Sequence, residues 1–81
     1  MFFTYILYSA TINKYYVGQT DNIENRLRSH HSGISPYTKI ANDWQLVYSE
    51  SFQTRKEAIQ RENEIKRKKS RLYIERLIGK A

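Results

Sequence analysis

The chain has no cysteine, one proline and three glycines in 81 residues. Without cysteine it can build neither a disulfide framework nor a thiolate metal site. That suits a reducing compartment, and a cytoplasmic location is expected. No apolar run approaches the ~18 residues that a membrane span requires, and no basic stretch precedes Phe2-Phe3. Neither a transmembrane helix nor a signal peptide is therefore expected. An HExxH metal motif, a glycine-rich phosphate loop and a nucleophile elbow are also absent. The length allows one small domain over residues 1–81, with a modest core.

What is present is unevenly placed. The net charge is +6, but residues 1–54 carry four basic and four acidic groups. Residues 55–81 carry ten basic and four acidic groups, so the whole excess lies in the last third. Such asymmetry points to a polyanionic partner, most often nucleic acid. The plainer reading is a solvated basic helix that aids solubility.

Residues 2–8 are rich in Phe, Tyr, Ile and Leu and read as a strand; residues 15–19 read as its hairpin partner across a polar turn containing Asn13. Gly18 interrupts the second strand, where a glycine marks a bend or a close approach. Asp21 with Glu24 resembles a capping box, and Ile23, Leu27, His30 and Ile34 then recur at helical spacing up to a stop at Ser32-Gly33. Residues 33–43, with Pro36, read as loop, and Trp44 to Phe52 as a third strand. Thr54 and Glu57 form a capping box for a second helix, whose apolar face carries Ala58, Ile59 and Ile65. A third helical stretch covers about 70–79, capped by Ser70, carrying Leu72, Ile74, Leu77 and Ile78, and closed by Gly79. The expected fold is α/β of the α+β type: a small, mostly antiparallel three-stranded sheet flanked by helices, in the order β-β-α-β-α-α.

Several residues do not fit pure packing. Glu62 lies within the apolar stripe of the second helix, where a carboxylate is costly without a cation, a metal or several donors. A salt bridge to an arginine, or a flank position reaching water, would also account for it. His30 shares the stripe of the first helix and Arg26 borders it; a semi-buried histidine and an arginine paired with Glu62 are the structural alternatives. Yet a guanidinium fork also suits phosphate. Tyr5, Tyr16, Arg26, His30 and Glu62 together would make a phosphodiester site. In it Glu62 would hold Mg²⁺, Arg26 would meet developing negative charge, and a tyrosine or histidine would handle a proton. The run Lys66-Arg67-Lys68-Lys69 could touch phosphates, or could simply be a helix end favoured by the dipole.

At these residues the chain resembles the GIY-YIG nuclease family, in its short bacterial single-domain branch akin to excision-repair endonuclease domains. Phe3-Thr4-Tyr5 stands where the first motif falls, keeping only its tyrosine, and Tyr16-Val17-Gly18 matches the second. The segment from Asp21 to His30 is similar to the family's first helix, Trp44-Gln45-Leu46-Val47-Tyr48 to its third strand, and Arg61-Glu62-Asn63 to the segment bearing its metal-binding glutamate. The resemblance implies hydrolysis of a DNA phosphodiester with one divalent ion, Mg²⁺ or Mn²⁺, bound by Glu62. It places Arg26 on the scissile phosphate, Tyr16 as activator of the attacking water, Tyr5 as a shaping and hydrogen-bonding group, and His30 on the proton path. A phenol, whose ordinary pKa is ~10, needs a nearby cation, a metal-bound water or a proton acceptor for such work.

DNA contacts are expected from Arg28, Lys66, Arg67, Lys68, Lys69 and Arg71, alone or with a second subunit, as a homodimer or with another partner. Two alternatives stay open. One is a nucleic-acid-binding module of the same fold with little or no cleavage, suggested by the reduced first motif and by an ending, Gly79-Lys80-Ala81, without the asparagine many relatives carry. The other is a protein-interaction domain with an acidic partner, suggested only by the charge.

Overall fold

The computed structural model describes residues 1–31 and 41–79, apart from the side chain of His31. The expected helix stop at Ser32-Gly33, with Ile34 and Pro36, lies outside the described residues. The elements are β1 (Phe2–Ser9), β2 (Lys14–Thr20), α1 (Ile23–His31), β3 (Gln45–Phe52), α2 (Arg55–Lys68) and α3 (Arg71–Leu77). The expected order and the antiparallel sheet are both present, with β1 in the centre between β2 and β3.

The turn between β1 and β2 needs a left-handed residue, and Asn13 supplies it at φ 53°. The Tyr8 hydroxyl donates to its Oδ1 at 2.6 Å, and Arg71 donates to its carbonyl at 2.8 Å. Along β1 and β3 the register slips by one between Ile6–Tyr48 and Leu7–Leu46, leaving Val47 as a bulge. Val47 and Tyr48 consequently pack on the same side, against Ile6 and Ile65.

Because strand side chains alternate, β1 feeds two separate cores. Tyr5 and Leu7 join Trp44, with Leu27 of α1 packed against them. Ile6 joins Val17 and Ile65, covered by Tyr73, Ile74 and Leu77 of α3. On that second face the buried Thr4 hydroxyl donates to the Ala58 carbonyl of α2 at 2.7 Å. The sheet is therefore a middle layer, with α1 over one face and α2 and α3 over the other.

Helix ends follow side-chain chemistry. Thr54 and Glu57 form the expected reciprocal capping box, and Ser70 accepts from the Tyr73 amide. At α1 the cap is Asn22, whose Oδ1 accepts from the Asn25 amide at 3.1 Å, rather than Asp21. Asp21 instead faces Arg55 across an exposed 3.6 Å ion pair. The apolar stripes are narrower than their spacing suggests: Ile59 is 38% exposed and Leu72 52%. Both lie at the margins of faces centred on Ala58, Ile65 and Ile74, where an apolar residue meets water on one side. Gly79, at φ 84°, takes the left-handed position after α3.

Candidate active site

The hairpin register builds one wall of the site. Tyr5 lies opposite Gly18, and Tyr16, two residues before Gly18, shares its face. A Cβ on residue 18 would lie 2.6 Å from the Tyr5 hydroxyl, 2.8 Å from its Cζ and 3.1 Å from Cε1 of Tyr16. Glycine is what lets the two phenols close over the strand, with ring centroids 6.4 Å apart.

One turn of α1 supplies the opposite wall. Arg26 and His30 are four apart, so both face the sheet. His30 is fully buried, and its Nε2 is hydrogen-bonded to the Tyr5 hydroxyl at 3.1 Å. Its ring stands edge-on to Tyr16 at 5.0 Å, and Trp44 meets the same tyrosine at 6.5 Å. The guanidinium of Arg26 lies beside both phenols, close enough for each to favour its charged form. Its Nε is buried without a hydrogen-bond partner among the described residues. A buried donor left unsatisfied is costly, and an anionic ligand would relieve it.

The electrostatics divide the two phenols. Tyr5 is 1% exposed, and burial above all pushes its pKa up. Arg26 opposes that rise, and the charges of Tyr16 and Glu62 add to it. Tyr5 therefore keeps its proton at neutral pH and can donate to His30. Tyr16 is only half-buried and is the phenol that a ligand can reach. The Tyr5 hydroxyl and, less strongly, Tyr16 favour the charged form of Arg26 against the cost of burial.

Glu62 is near enough for its charge to act on Tyr5, but no direct contact joins it to the tyrosines or to Arg26. Its Oε2 accepts from Lys66 Nζ at 2.5 Å, one helical turn away. The pairing with Arg26 that the sequence allows is therefore not made: Lys66 is one turn away on the same helix, whereas Arg26 stands on α1. Nor is Glu62 turned into the core, since its side chain is 17% exposed on the flank between Ala58 and Ile65. Among the described residues no cluster of three or more His, Asp or Glu side chains is present. A single partly buried carboxylate with a free oxygen fits Mg²⁺, which keeps several waters and binds through one or two carboxylates plus substrate phosphates. It would not fit a fully caged ion such as structural zinc.

The cations expected on DNA are not equally available. Lys66 to Lys69 stand exposed around the end of α2, although Lys68 Nζ lies over the Tyr73 ring at 5.3 Å. Arg28 is exposed and donates to Asn25 Oδ1. Arg71 is largely structural: it holds the Asn13 carbonyl and side chain, pairs with Glu75 and stacks over Tyr15. Sequence reasoning missed a polar network beside the site. Arg61 donates to Glu50 Oε2 at 2.8 Å and to the Tyr73 hydroxyl, and pairs with Glu64. Tyr48 donates to the same Glu50 oxygen at 2.7 Å. This network ties β3, α2 and α3 together next to Glu62, and only the adjacency of Arg61 to Glu62 could have hinted at it.

With this geometry in view, comparison with known proteins decides the family. The sequence model of the GIY-YIG catalytic domain matches residues 1–75. The chain belongs to the GIY-YIG family. Among its relatives, the UPF0213 protein YazA of Bacillus subtilis is 39% identical over 67 residues, covering 78% of this chain and 68% of the relative. A UPF0213 protein of Natronomonas pharaonis is 38% identical over 78 residues, covering 95% and 89%. The solution structure of the UPF0213 protein BH0048 from Bacillus halodurans aligns at a TM-score of 0.60 with 31% identity, covering 98% of this chain and 84% of that one. The GIY-YIG fold thus extends across the described residues, and no described helix is long and apolar enough to cross a membrane.

Proposed function

We propose that this protein is a divalent-metal-dependent DNA endonuclease that hydrolyses phosphodiester bonds. The observation that carries the reading is the buried, unpartnered Arg26 Nε beside two phenols. A core-packing arginine would be expected to spend that donor on a carboxylate or carbonyl; here it awaits an anion. Family membership supplies the reaction class, and the basic last third supplies attraction for DNA.

In this reading Arg26 binds the scissile phosphate and stabilises the charge that builds on it. Tyr16, the accessible phenol, takes the proton of the attacking water. Water oxygen bonds to phosphorus, one ester P–O bond breaks, and the leaving oxygen takes a proton from solvent, so the products are a phosphomonoester and a free hydroxyl. Tyr5 keeps its proton, orients His30 and closes the wall, and His30 relays protons from behind the phenols. Glu62 would hold Mg²⁺ or Mn²⁺, which supplies Lewis-acid stabilisation of phosphoryl and leaving oxygens when bound.

The test is incubation of supercoiled, branched and single-stranded DNA with the protein and Mg²⁺, beside Arg26→Ala and Glu62→Ala. Cleavage by the parent that both substitutions abolish is expected. Salt-sensitive retardation of DNA without cleavage of any substrate would replace the enzyme by a binding module of the same fold.

A further inference from the structure

A second feature lies beside the catalytic wall. A groove of about 430 Å³ runs between the edge strand β2 and the corner where α2 turns into α3. That volume is in the range of small-molecule sites. Its floor is apolar, made by Val17, Ile65 and Ile74, with Tyr15 along one side; Tyr16 borders the groove along β2, while its ring packs on the opposite face of the sheet. Its rim is cationic: Lys14 from β2, and Lys66, Lys69 and Arg71 from the helical corner. Among the described residues no acidic group lines it. Lys14 and Lys69 have no acidic partner among the described residues, while Arg71 is fixed in place by Asn13 and Glu75.

Two residues border both the groove and the site. Tyr16 borders the groove along β2, and its ring, on the other face, meets His30 at 5.0 Å. Lys66 lines the groove and also pairs with Glu62. An apolar slot rimmed by cations, with the Lys66–Glu62 pair at its border with the proposed phosphodiester site, matches one chemistry, a planar base carrying a phosphate.

We infer that this groove seats one nucleotide of the substrate strand next to the scissile phosphate, its base on the Val17–Ile74 floor and its phosphate among Lys14, Lys66 and Lys69. The inference rests on the nuclease reading for what the strand is doing there, and adds where the neighbouring nucleotide goes. An acidic peptide would use the rim and leave the apolar floor empty, so a nucleotide is the better match.

The test uses the full chain in EDTA, so that nothing is cut, with amide chemical shifts as the readout. The probes are a short oligothymidylate, the same sugar–phosphate chain without bases, thymidine monophosphate and a polyglutamate peptide. The oligothymidylate is expected to shift amides in Lys14–Val17 and Lys69–Ile74. Removing the bases should weaken binding roughly tenfold, the usual scale of one base's contact with such a surface. Lys69→Glu should weaken it more than Lys56→Glu, an equal charge change on the exposed first turn of α2. Lys69→Glu should also lower the salt slope by about 0.7 per lost phosphate contact. Should Lys69→Glu perturb the fold, Lys14→Glu on the opposite rim carries the same expectation.

Equal affinity for the base-free chain, equal losses from Lys56→Glu and Lys69→Glu, or polyglutamate binding at the same amides as tightly would overturn the proposal. So would thymidine monophosphate binding as well as the strand, which would make this a free-nucleotide site. Cleavage unchanged in Lys69→Glu would sink the groove and leave the nuclease standing. A parent that never cuts, yet binds oligothymidylate in the groove, would do the reverse.

Discussion

The two faces of the sheet are made by the same strands and behave differently. Odd positions of β1 face α1 and bring a phenol, a histidine and an arginine into one enclosed cluster around Tyr5. Even positions face α2 and α3 and bring Ile6, with Val17 and Ile65, into an aliphatic core. The first face accepts an unsatisfied buried donor on Arg26; the second spends its polar groups, as where Thr4 bonds Ala58. One residue of spacing along a strand thus separates a face that leaves a buried donor open from one that supplies stability.

This contrast can be broken by substitution, and the largest effect should come from the chemical face. Tyr16→Phe is expected to lower cleavage about 10²–10⁴-fold, the range for losing a positioned proton acceptor. Its melting temperature should stay close to the parent's, and a variant that cuts normally would remove Tyr16 from the reaction. Ile65→Ala inverts the pattern. It should cost about 2–5 kcal/mol of stability, read by denaturant unfolding, because Ile65 is 1% exposed at the centre of the aliphatic core. Below its melting transition its cleavage rate should match the parent's.

Gly18→Ala tests the line between the faces. The added methyl meets the Tyr5 hydroxyl at 2.6 Å, so the phenols must move. About 1–3 kcal/mol of destabilisation is expected, with a cleavage loss that persists at temperatures where the variant is folded. Normal cleavage by the folded variant would mean that the spacing of the phenols does not matter.

Much of this was legible in the sequence because it is local. Thr54 and Glu57 sit three apart and cap α2 as their spacing dictates. The alternation in β1 foretells two faces, and a glycine inside β2 foretells a bend or a close approach. What depends on distant partners was not legible. Arg61 finds Glu50 across eleven residues and Asp43 finds Ser9 across thirty-four. The bulge at Val47 cannot be read from β3 alone, since it is a property of the pairing. Glu62 shows both limits: its helical position was readable, but its choice of Lys66 over Arg26 follows from where α1 and α2 lie.

The smallest effect should come from the edge of the chemical face. Asp43 accepts from the Ser9 hydroxyl and from the Thr11 amide and hydroxyl, and these, Ser9 first, hold its pKa at about 2. A depressed carboxyl contributes stability above its unfolded pKa of ~3.9 and loses it as pH falls through the folded value. Stability should therefore decline modestly between about pH 4 and pH 2. Asp43→Asn should flatten that part of the acid-unfolding curve, and an unchanged curve would mean these hydrogen bonds do not hold in solution.

In the proposed mechanism Glu62 serves chemistry from a helix whose other side serves stability. That division is tested most directly by measuring melting and Mg²⁺-dependent nicking of supercoiled DNA on the same preparation of Glu62→Gln. Loss of nicking with an unchanged melting temperature is the predicted result, because the Lys66 pair is a helical surface contact of about 0.3–0.5 kcal/mol. Retained nicking, or a protein that melts well below the parent, would contradict the account.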